Sequence, residues 1–404
     1  MMLMRNKIRP YQWGSRTALA DLLGEPSPAP SPQAELWIGA HPSASSVLGD
    51  DPDQSLAHVI ALDPAGTVGP NAQAAFGARL PFLLKVLAAD EPLSLQAHPS
   101  VEQATRGFAA EETAGIPRTS GNRNYRDSSH KPELICALTE FHALCGFREP
   151  EATVRLLGGL GVPQLDHYLG VLSGQPDEYG TRALFSMVIT IPPAKLGPLL
   201  ADVLAACVEK VRAGQRSASE FDLEYRTALS LGERYPGDPG VLASLLLNRF
   251  VLEPGDALYL PAGNLHAYLY GVAIEIMANS DNVLRGGLTP KHVDVPELMK
   301  VLDFRPGDVP VLRGDPVAEG HVVYPTPTPE FKFARLELRG EKREMTHPGP
   351  QVLLTIQGEI VATDGRGTEI TVPRGHSVWF GASDGPVWIT GNGTVFRATD
   401  GLPG

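Results

Sequence analysis

Cysteine is scarce in this chain: 404 residues contain three, Cys136, Cys145 and Cys207. An odd number at irregular spacing excludes a disulfide framework and a thiolate metal knuckle. Buried apolar packing in a reducing compartment is the remaining role, so a cytoplasmic protein is expected. Positive charge is also in short supply. Lys and Arg number 34 against 46 Asp and Glu, for a formal net charge of −12. No global field then draws the chain to nucleic acid or to an acidic membrane, and a small anionic ligand needs a local patch of Lys and Arg. Long apolar runs are missing as well. The opening MMLMRNKIRPYQWGS has no signal-peptide core, and no later run approaches a membrane span. A small-molecule partner is expected, with no nucleic acid and no membrane, and a monomer rather than an obligate oligomer.

What is present is ordinary globular material, 43% hydrophobic and 20% charged, long enough for two or three domains. From about 149 to 231 the pattern is helical: VRLLGGL, LGPLLADVLAACVEKVRAG and SASEFDLEYRTALSLGERY carry apolar residues at three- and four-residue intervals. On either side lie short β-type segments bounded by Pro, Gly or Asp, among them LPFLLKVLAA, PLSLQAH, ELICALT, DALYLP and VAIEIMA. Beyond the Pro-rich VYPTPTPE, strands at hairpin-like spacing read as a terminal jelly roll. The expected fold class is mainly β, two jelly-roll barrels of related design plus an α-helical subdomain inserted into the first of them. The expected division is a first barrel unit from 1–148 and 236–303, a helical unit at 149–235, and a C-terminal jelly-roll unit at 304–404.

In PLSLQAHPS, alternate residues of a strand share a face, which sets Ser94, Gln96 and His98 on one side and Leu93, Leu95 and Ala97 on the other. A polar inward face must be satisfied, by hydrogen bonds around a core histidine or by a metal that takes an imidazole and an amide oxygen together. A second segment, GDALYLPAGNLHAY, spaces Gly255, Pro261, Gly263 and His266 as G-x5-P-x-G-x2-H. That spacing resembles the second signature of cupin barrels, which ends on a metal histidine. The first cupin signature departs from its usual form here, since Gln96 stands where a histidine is common and Glu133 follows His98 only after a long Gly- and charge-rich insert. A two-residue turn at Tyr270 and Gly271 would pair His266 with Glu275 and Tyr268 with Ala273, turning His266, Tyr268 and Glu275 inward together.

Six blocks in order resemble type I mannose-6-phosphate isomerases: YQWGS, ELWIGAHPSASS, FLLKVLAADEPLSLQAHP, NYRDSSHKPELICALTEFHALCGFR, YPGDPGVLASLLLNRFVLEPGDALYLPAGNLHAYLYG and EIMANSDNVLRGGLTPKHVDVPEL. The resemblance implies one zinc ion per chain on Gln96, His98, Glu133 and His266. It also implies interconversion of mannose 6-phosphate and fructose 6-phosphate. The nitrogen and oxygen donors suit catalytic zinc, and by chemistry alone manganese or iron too.

Aldose–ketose isomerisation through an enediol needs an electrophile, a base and charge stabilisation. Lys131 lies two residues before Glu133. It reads either as a base whose pKa a metal and a cationic patch depress, or as a phosphate-binding or solvent lysine. Glu275 reads as a partner orienting His266 or as a proton-transfer group. Arg285, before two glycines, matches the family's catalytic arginine and suits electrostatic stabilisation. Lys291, Lys85 and Ser94 are candidates to hold the phosphate, with Tyr268 at the substrate. Two alternatives stand beside the isomerase: a metal-dependent cupin of another class, such as a dioxygenase, and a sugar-binding bicupin without catalysis. The cationic set Lys131, Arg285 and Lys291 separates the isomerase from an oxygenase, and a complete ligand set with an adjacent Lys and Arg separates it from a binding module, which needs no electrophile and base together.

Overall fold

A computed structural model describes every residue except 50, 52, 215–219, 346 and 404. Two antiparallel sheets of ten strands each form the scaffold. Strand and helix contribute about equally, more helix than a mainly β reading implies, because helices also punctuate the β-rich parts of the chain.

The first sheet runs in the order Lys7–Arg9, Glu35–Gly39, Phe82–Ala89, His266–Ala278, Glu133–Ala137, Ala257–Leu260. Leu95–Ala97, Leu284–Gly287, Phe141–Phe147 and Leu247–Leu252 complete it. Its centre is the 13-residue strand His266–Ala278, which pairs on one edge with Phe82–Ala89 and on the other with Glu133–Ala137. The inner strands are apolar over long stretches, as FLLKVLAA and ELICA show, because both their faces are covered. The second sheet is built from the chain's last ninety or so residues, with two strands from its beginning: Met2–Arg5 pairs with Ser377–Phe380 and with Val47–Leu48. A unit that begins at 304 in sequence therefore includes strands from the N-terminus in space.

Between the sheet-forming segments lie the helices Pro150–Gly158, Asp166–Gly174, Glu178–Ile189, Pro193–Gly214 and Asp222–Arg234. The last starts later than SASEFDLEYRTALSLGERY suggests, and residues 217–219 of that stretch lie outside the described residues. The apolar stripes of these helices meet in one core that includes Leu156, Leu184, Phe185, Leu200, Val203 and Leu231. The same core takes in Leu95 and Ala97, the apolar side of the Gln96 strand, and Leu265 and Ala267 beside His266. The helical unit thus packs behind two donor segments. Among the described residues no single helix is long and apolar enough to cross a membrane. All three cysteines are free and buried.

The insert between His98 and Glu133 has its own support. Ser100 and Gln103 form a capping box that starts the helix Val101–Thr113, satisfying two orphan amides. Buried Arg123 then ties the returning loop to that helix, 2.8 Å from Glu111 and 2.8 Å from Glu112. The return strand begins at Glu133, which explains how a glutamate far along the chain stands beside His98.

Candidate metal centre

His98 follows the short strand Leu95–Ala97, and its backbone carbonyl accepts the Gly263 N–H at 2.8 Å. The turn of the G-x5-P-x-G-x2-H segment is therefore tied directly to the first histidine. Gly263 has φ of +81°, and a Cβ there would stand 3.0 Å from Val301 O and from Asp303 N, so the turn admits glycine for both reasons. Three residues on, His266 opens the central strand, opposite Gln96 on one side and Cys145 on the other. Glu133 opens its own strand opposite Leu260 and Met277. Each donor thus sits at a strand end, where the sheets' ladders leave space.

Ligand atoms of His98, Glu133 and His266 all lie within 4.8 Å of one another. His98 Nδ1 is 2.7 Å from the Asn282 carbonyl oxygen, and His266 Nδ1 is 3.1 Å from that of Asn264. A carbonyl only accepts, so in both rings Nδ1 carries the proton and Nε2 turns its lone pair inward. His98 Nε2 lies 3.2 Å from Glu133 Oε1, yet it is buried and out of line for a hydrogen bond. His266 Nε2 is 3.6 Å from Glu133 Oε2. Two inward lone pairs, one of them on a buried atom with no hydrogen-bond partner, facing a shared carboxylate are what a bound cation would satisfy.

The charge states agree. Burial pushes His266 down to about 4, outweighing the attraction of Glu133, and burial together with Lys131 lowers His98. Burial alone would raise Glu133, but Lys131, His98 and His266 hold it well below the usual carboxylate range. Neutral imidazoles and an ionised carboxylate are the forms that bind metal. Gln96 adjoins this group through its pairing with His266 and with Arg285. Its side chain is half-buried and hydrogen-bonds to no other described residue.

Around the three donors stands a second set of polar groups. Lys131 Nζ is 3.1 Å from Glu133 Oε1, and the Tyr268 hydroxyl donates to Glu133 Oε2 at 3.3 Å. Burial, with Glu133 and Glu275 nearby, pushes the Tyr268 phenol well above its ordinary value, so it remains a donor. Lys85 is buried and engaged, 2.7 Å from Glu275 and 3.7 Å from Glu35. Desolvation opposes its charge, but Glu275, Glu35 and Glu133 together raise its pKa. Burial raises Glu275 in turn, against the pull of Lys85. A Lys85 so occupied has less of its charge to offer a phosphate.

The turn expected at Tyr270 and Gly271 does not form. His266–Ala278 is one continuous strand, and Glu275 pairs with Lys85 and Ile135 rather than with His266. A register shift between Tyr268 and Tyr270 provides the change of face instead. Tyr270 points to solvent at 54% exposure, while Tyr268 and Ala273 lie in one buried layer, and Glu275 shares the Ala273 side. Gly271, at φ +115°, could not carry a side chain, since a Cβ would stand 2.5 Å from Glu140 O.

Arg285 lies half-buried on Leu284–Gly287, opposite Gln96. Burial and the nearby charge of Arg126 lower its pKa, and burial with Arg285 and Arg126 lowers that of the exposed Lys291. Three cations therefore share one neighbourhood, and Arg126 is a member that sequence reading missed. Its place in NYRDSSHKPEL, five residues before Lys131, was the available signal. Ser94 stays half-buried, without a hydrogen bond to another described residue. Asn282, fully buried and bonded to the loop of Arg126, was also passed over, although it lies three residues before Arg285.

Comparison with known proteins bears on this geometry. Residues 1–150 match the family model of the type I phosphomannose isomerase catalytic domain. The mannose-6-phosphate isomerase of Escherichia coli (strain K12) is 37% identical over 407 residues, covering 100% of both chains. That of Homo sapiens is 32% identical, covering 93% of this chain and 92% of its own. A crystal structure of mannose 6-phosphate isomerase bound with zinc and yttrium superposes with a TM-score of 0.88 at 35% identity, over the full length of both chains. A zinc-bound holo structure gives 0.89 at 34% identity, covering 99% of each. A full-length likeness at this identity, with a buried His98–Glu133–His266 group at its centre, establishes that the chain belongs to the type I mannose-6-phosphate isomerase family.

Proposed function

We propose that this chain is a zinc-dependent aldose–ketose isomerase that interconverts D-mannose 6-phosphate and D-fructose 6-phosphate at the His98–Glu133–His266 centre. One observation carries the reading. Three buried donors in metal-ready protonation states stand together, one of them, Glu133, 3.1 Å from Lys131, in a chain whose full-length relatives are mannose-6-phosphate isomerases. Gln96, His98, Glu133 and His266 are the residues that would hold zinc. Bound there, zinc supplies a Lewis acid for the oxygens at the first two sugar carbons.

We assign the proton transfer to Lys131. Its Nζ stands on the edge of Glu133 and next to the centre, on an extended segment fixed by the strand that follows. Arg285 stays cationic and offers its fork of N–H groups to the charge that develops on the enediolate. Lys291 and Arg126 extend that positive neighbourhood outward, where a phosphate would sit, with Ser94 as a hydroxyl at the same edge. Tyr268 holds Glu133 in place by donating to it. The buried Lys85–Glu275 pair keeps opposite charges beside the centre without leaving either alone. A substrate of phosphorylated hexose type fits a local cationic set on a chain of net charge −12. We read the enzyme as a cytoplasmic monomer acting on a soluble metabolite, without nucleic acid or membrane. We divide the chain in sequence into a helical unit (149–235), a catalytic unit (1–148 with 236–303) and a terminal unit (304–404), with the strands Met2–Arg5 and Val47–Leu48 lent to the terminal sheet. A dioxygenase or a purely sugar-binding bicupin would leave the pairing of Lys131 with Glu133 and the cations around Arg285 without a task.

The test is a coupled assay of mannose 6-phosphate turnover before chelation, after chelation and after zinc is restored. Turnover that disappears and returns with the metal is expected. No turnover by fully zinc-loaded protein overturns the reading.

A further inference from the structure

Asn282 makes more polar contacts at the site than its place in NSDNVLRGG suggests. Its side chain is fully buried, and every polar atom of it is used. Oδ1 accepts the N–H of Arg126 at 2.7 Å and of Asp127 at 3.3 Å. Nδ2 donates to the carbonyls of Asp127 and Ser129, each at 2.8 Å. One amide thus clasps both strands of the bend that leads from Arg126 to Lys131. The clasp is reciprocal. Asp127 accepts from the Ser280 hydroxyl at 2.9 Å through Oδ1 and from the Asp281 N–H at 2.9 Å through Oδ2. Meanwhile the backbone carbonyl of the same Asn282 takes the Nδ1 proton of His98 at 2.7 Å.

A single residue therefore fixes the ring of one metal donor by its main chain and the loop bearing two cations by its side chain. Most of the hydrogen-bond partners are backbone groups, so the geometry they set does not depend on flexible side chains. Burying an amide this completely costs free energy unless all of its valences are met, and here they are met by the loop alone.

We propose that Asn282 is a positioning residue for the isomerisation: its side chain holds the Arg126–Lys131 loop in register with the His98 end of the metal centre. Asn282 touches no reacting atom in this scheme. It acts through Lys131, whose proton transfer depends on sub-ångström placement, and through Arg126, whose charge bears on Arg285 and Lys291. The inference rests on the isomerase reading above, and the experiment separates the two.

Asn282→Ala removes the clasp and leaves the carbonyl that orients His98. Zinc content should stay at the wild-type ratio, while kcat falls about tenfold or more and KM for mannose 6-phosphate rises about threefold, since a misplacement of 1 Å can cost on the order of a hundredfold in rate. Hydrogen exchange at the Arg126 and Asp127 amides should become faster with or without metal, because their acceptor is gone. A residue that served stability alone would lower the active fraction and leave KM unchanged. Ser280→Ala, which removes the hydroxyl's bonds to Asp127 and Ser129 and the acceptor of the Asn282 N–H but leaves the Asn282 side chain in place, should shift KM and kcat in the same directions by a smaller factor, and serves if Asn282→Ala does not fold. Wild-type kcat and KM in a folded, zinc-loaded variant overturn the proposal, as does a loss of rate that follows zinc loss with unchanged KM. An inactive zinc-loaded wild type overturns the isomerase reading instead.

Discussion

Ten antiparallel strands make up each sheet, yet the two interiors differ in kind. The C-terminal sheet encloses Leu336, Leu353, Ile360, Val378, Phe380 and Val395, an apolar layer. The catalytic sheet buries Glu35, Lys85, His98, Lys131, Glu133, His266 and Glu275. Burying charge costs several kcal/mol per ion unless partners compensate. Here they do, with Lys85 set between Glu275 and Glu35 and Lys131 set on Glu133. The difference teaches where one architecture can afford function. Apolar strands hold a shape at little risk, and a charged interior is tolerated only as a closed set in which every member depends on the others. Removing one charge should therefore be far more damaging in the first sheet than trimming an apolar side chain in the second.

The largest expected effect is at the donors. His266→Ala should abolish stoichiometric zinc and lower turnover roughly a thousandfold, since a bound metal is worth several kcal/mol of charge stabilisation and each 1.36 kcal/mol is tenfold. Metal analysis and the coupled assay check both. Arg285→Ala sharpens the contrast by keeping zinc and losing about a hundredfold in kcat, the scale of a lost electrostatic donor. Full zinc in the first variant, or a normal kcat in the second, would remove that residue from its role. Next comes Lys85→Met, which leaves Glu275 and Glu35 facing each other without their cation. Breaking a buried ion pair costs about 3–5 kcal/mol, so the urea midpoint should fall sharply. An unchanged midpoint would show that the catalytic interior is not a closed set.

How much of this was legible beforehand depends on what each residue's signal rests on. His98 and His266 could be read because strand alternation and a glycine-proline turn are local properties of the backbone. The association of Glu133 with them was visible only through family resemblance, since a helix and a loop pinned by Arg123 separate it from His98 and nothing local announces its return. The face shift on the central strand was misread as a hairpin. Tyr270-Gly271 has turn-like composition, but strands on both edges, from Phe82–Ala89 to Phe141–Phe147, keep the backbone extended, and a bulge costs less than breaking those ladders. The partners of Lys85 were not legible either, because sequence shows neither Glu275 across the ladder nor Glu35 beyond it. Asn282 and Arg126 were missed because hydrogen bonds across more than 150 positions leave no periodic trace.

In the C-terminal sheet the same logic gives small, local effects. Ile360 is fully buried among Val372, Val395 and their neighbours, and Ile360→Val deletes one methylene. A loss of about 1 kcal/mol in stability is expected, with zinc content and kcat unchanged, because only transfer and a small cavity are involved. A fall in kcat for the folded variant would mean that the apolar sheet transmits strain to the charged one.

The smallest effect lies where the two regions meet. Glu330, just before the strand Lys332–Arg339, is 2.7 Å from His130 Nε2, one residue before Lys131. Burial would raise this carboxyl, but hydrogen bonds from His130 and Thr328 bring it below its ordinary 4.5. A carboxyl held lower in the folded than in the unfolded chain contributes stability that is complete above its ordinary value and disappears as pH falls through the folded one. Glu330→Gln removes that contribution. Its Tm should lie below wild type by on the order of 1 °C at pH 6, and the two melting curves should converge as pH is lowered below 4.5. A gap that stays constant over that window would assign the contact to packing rather than charge, and the link between the apolar sheet and the Lys131 loop would then be steric.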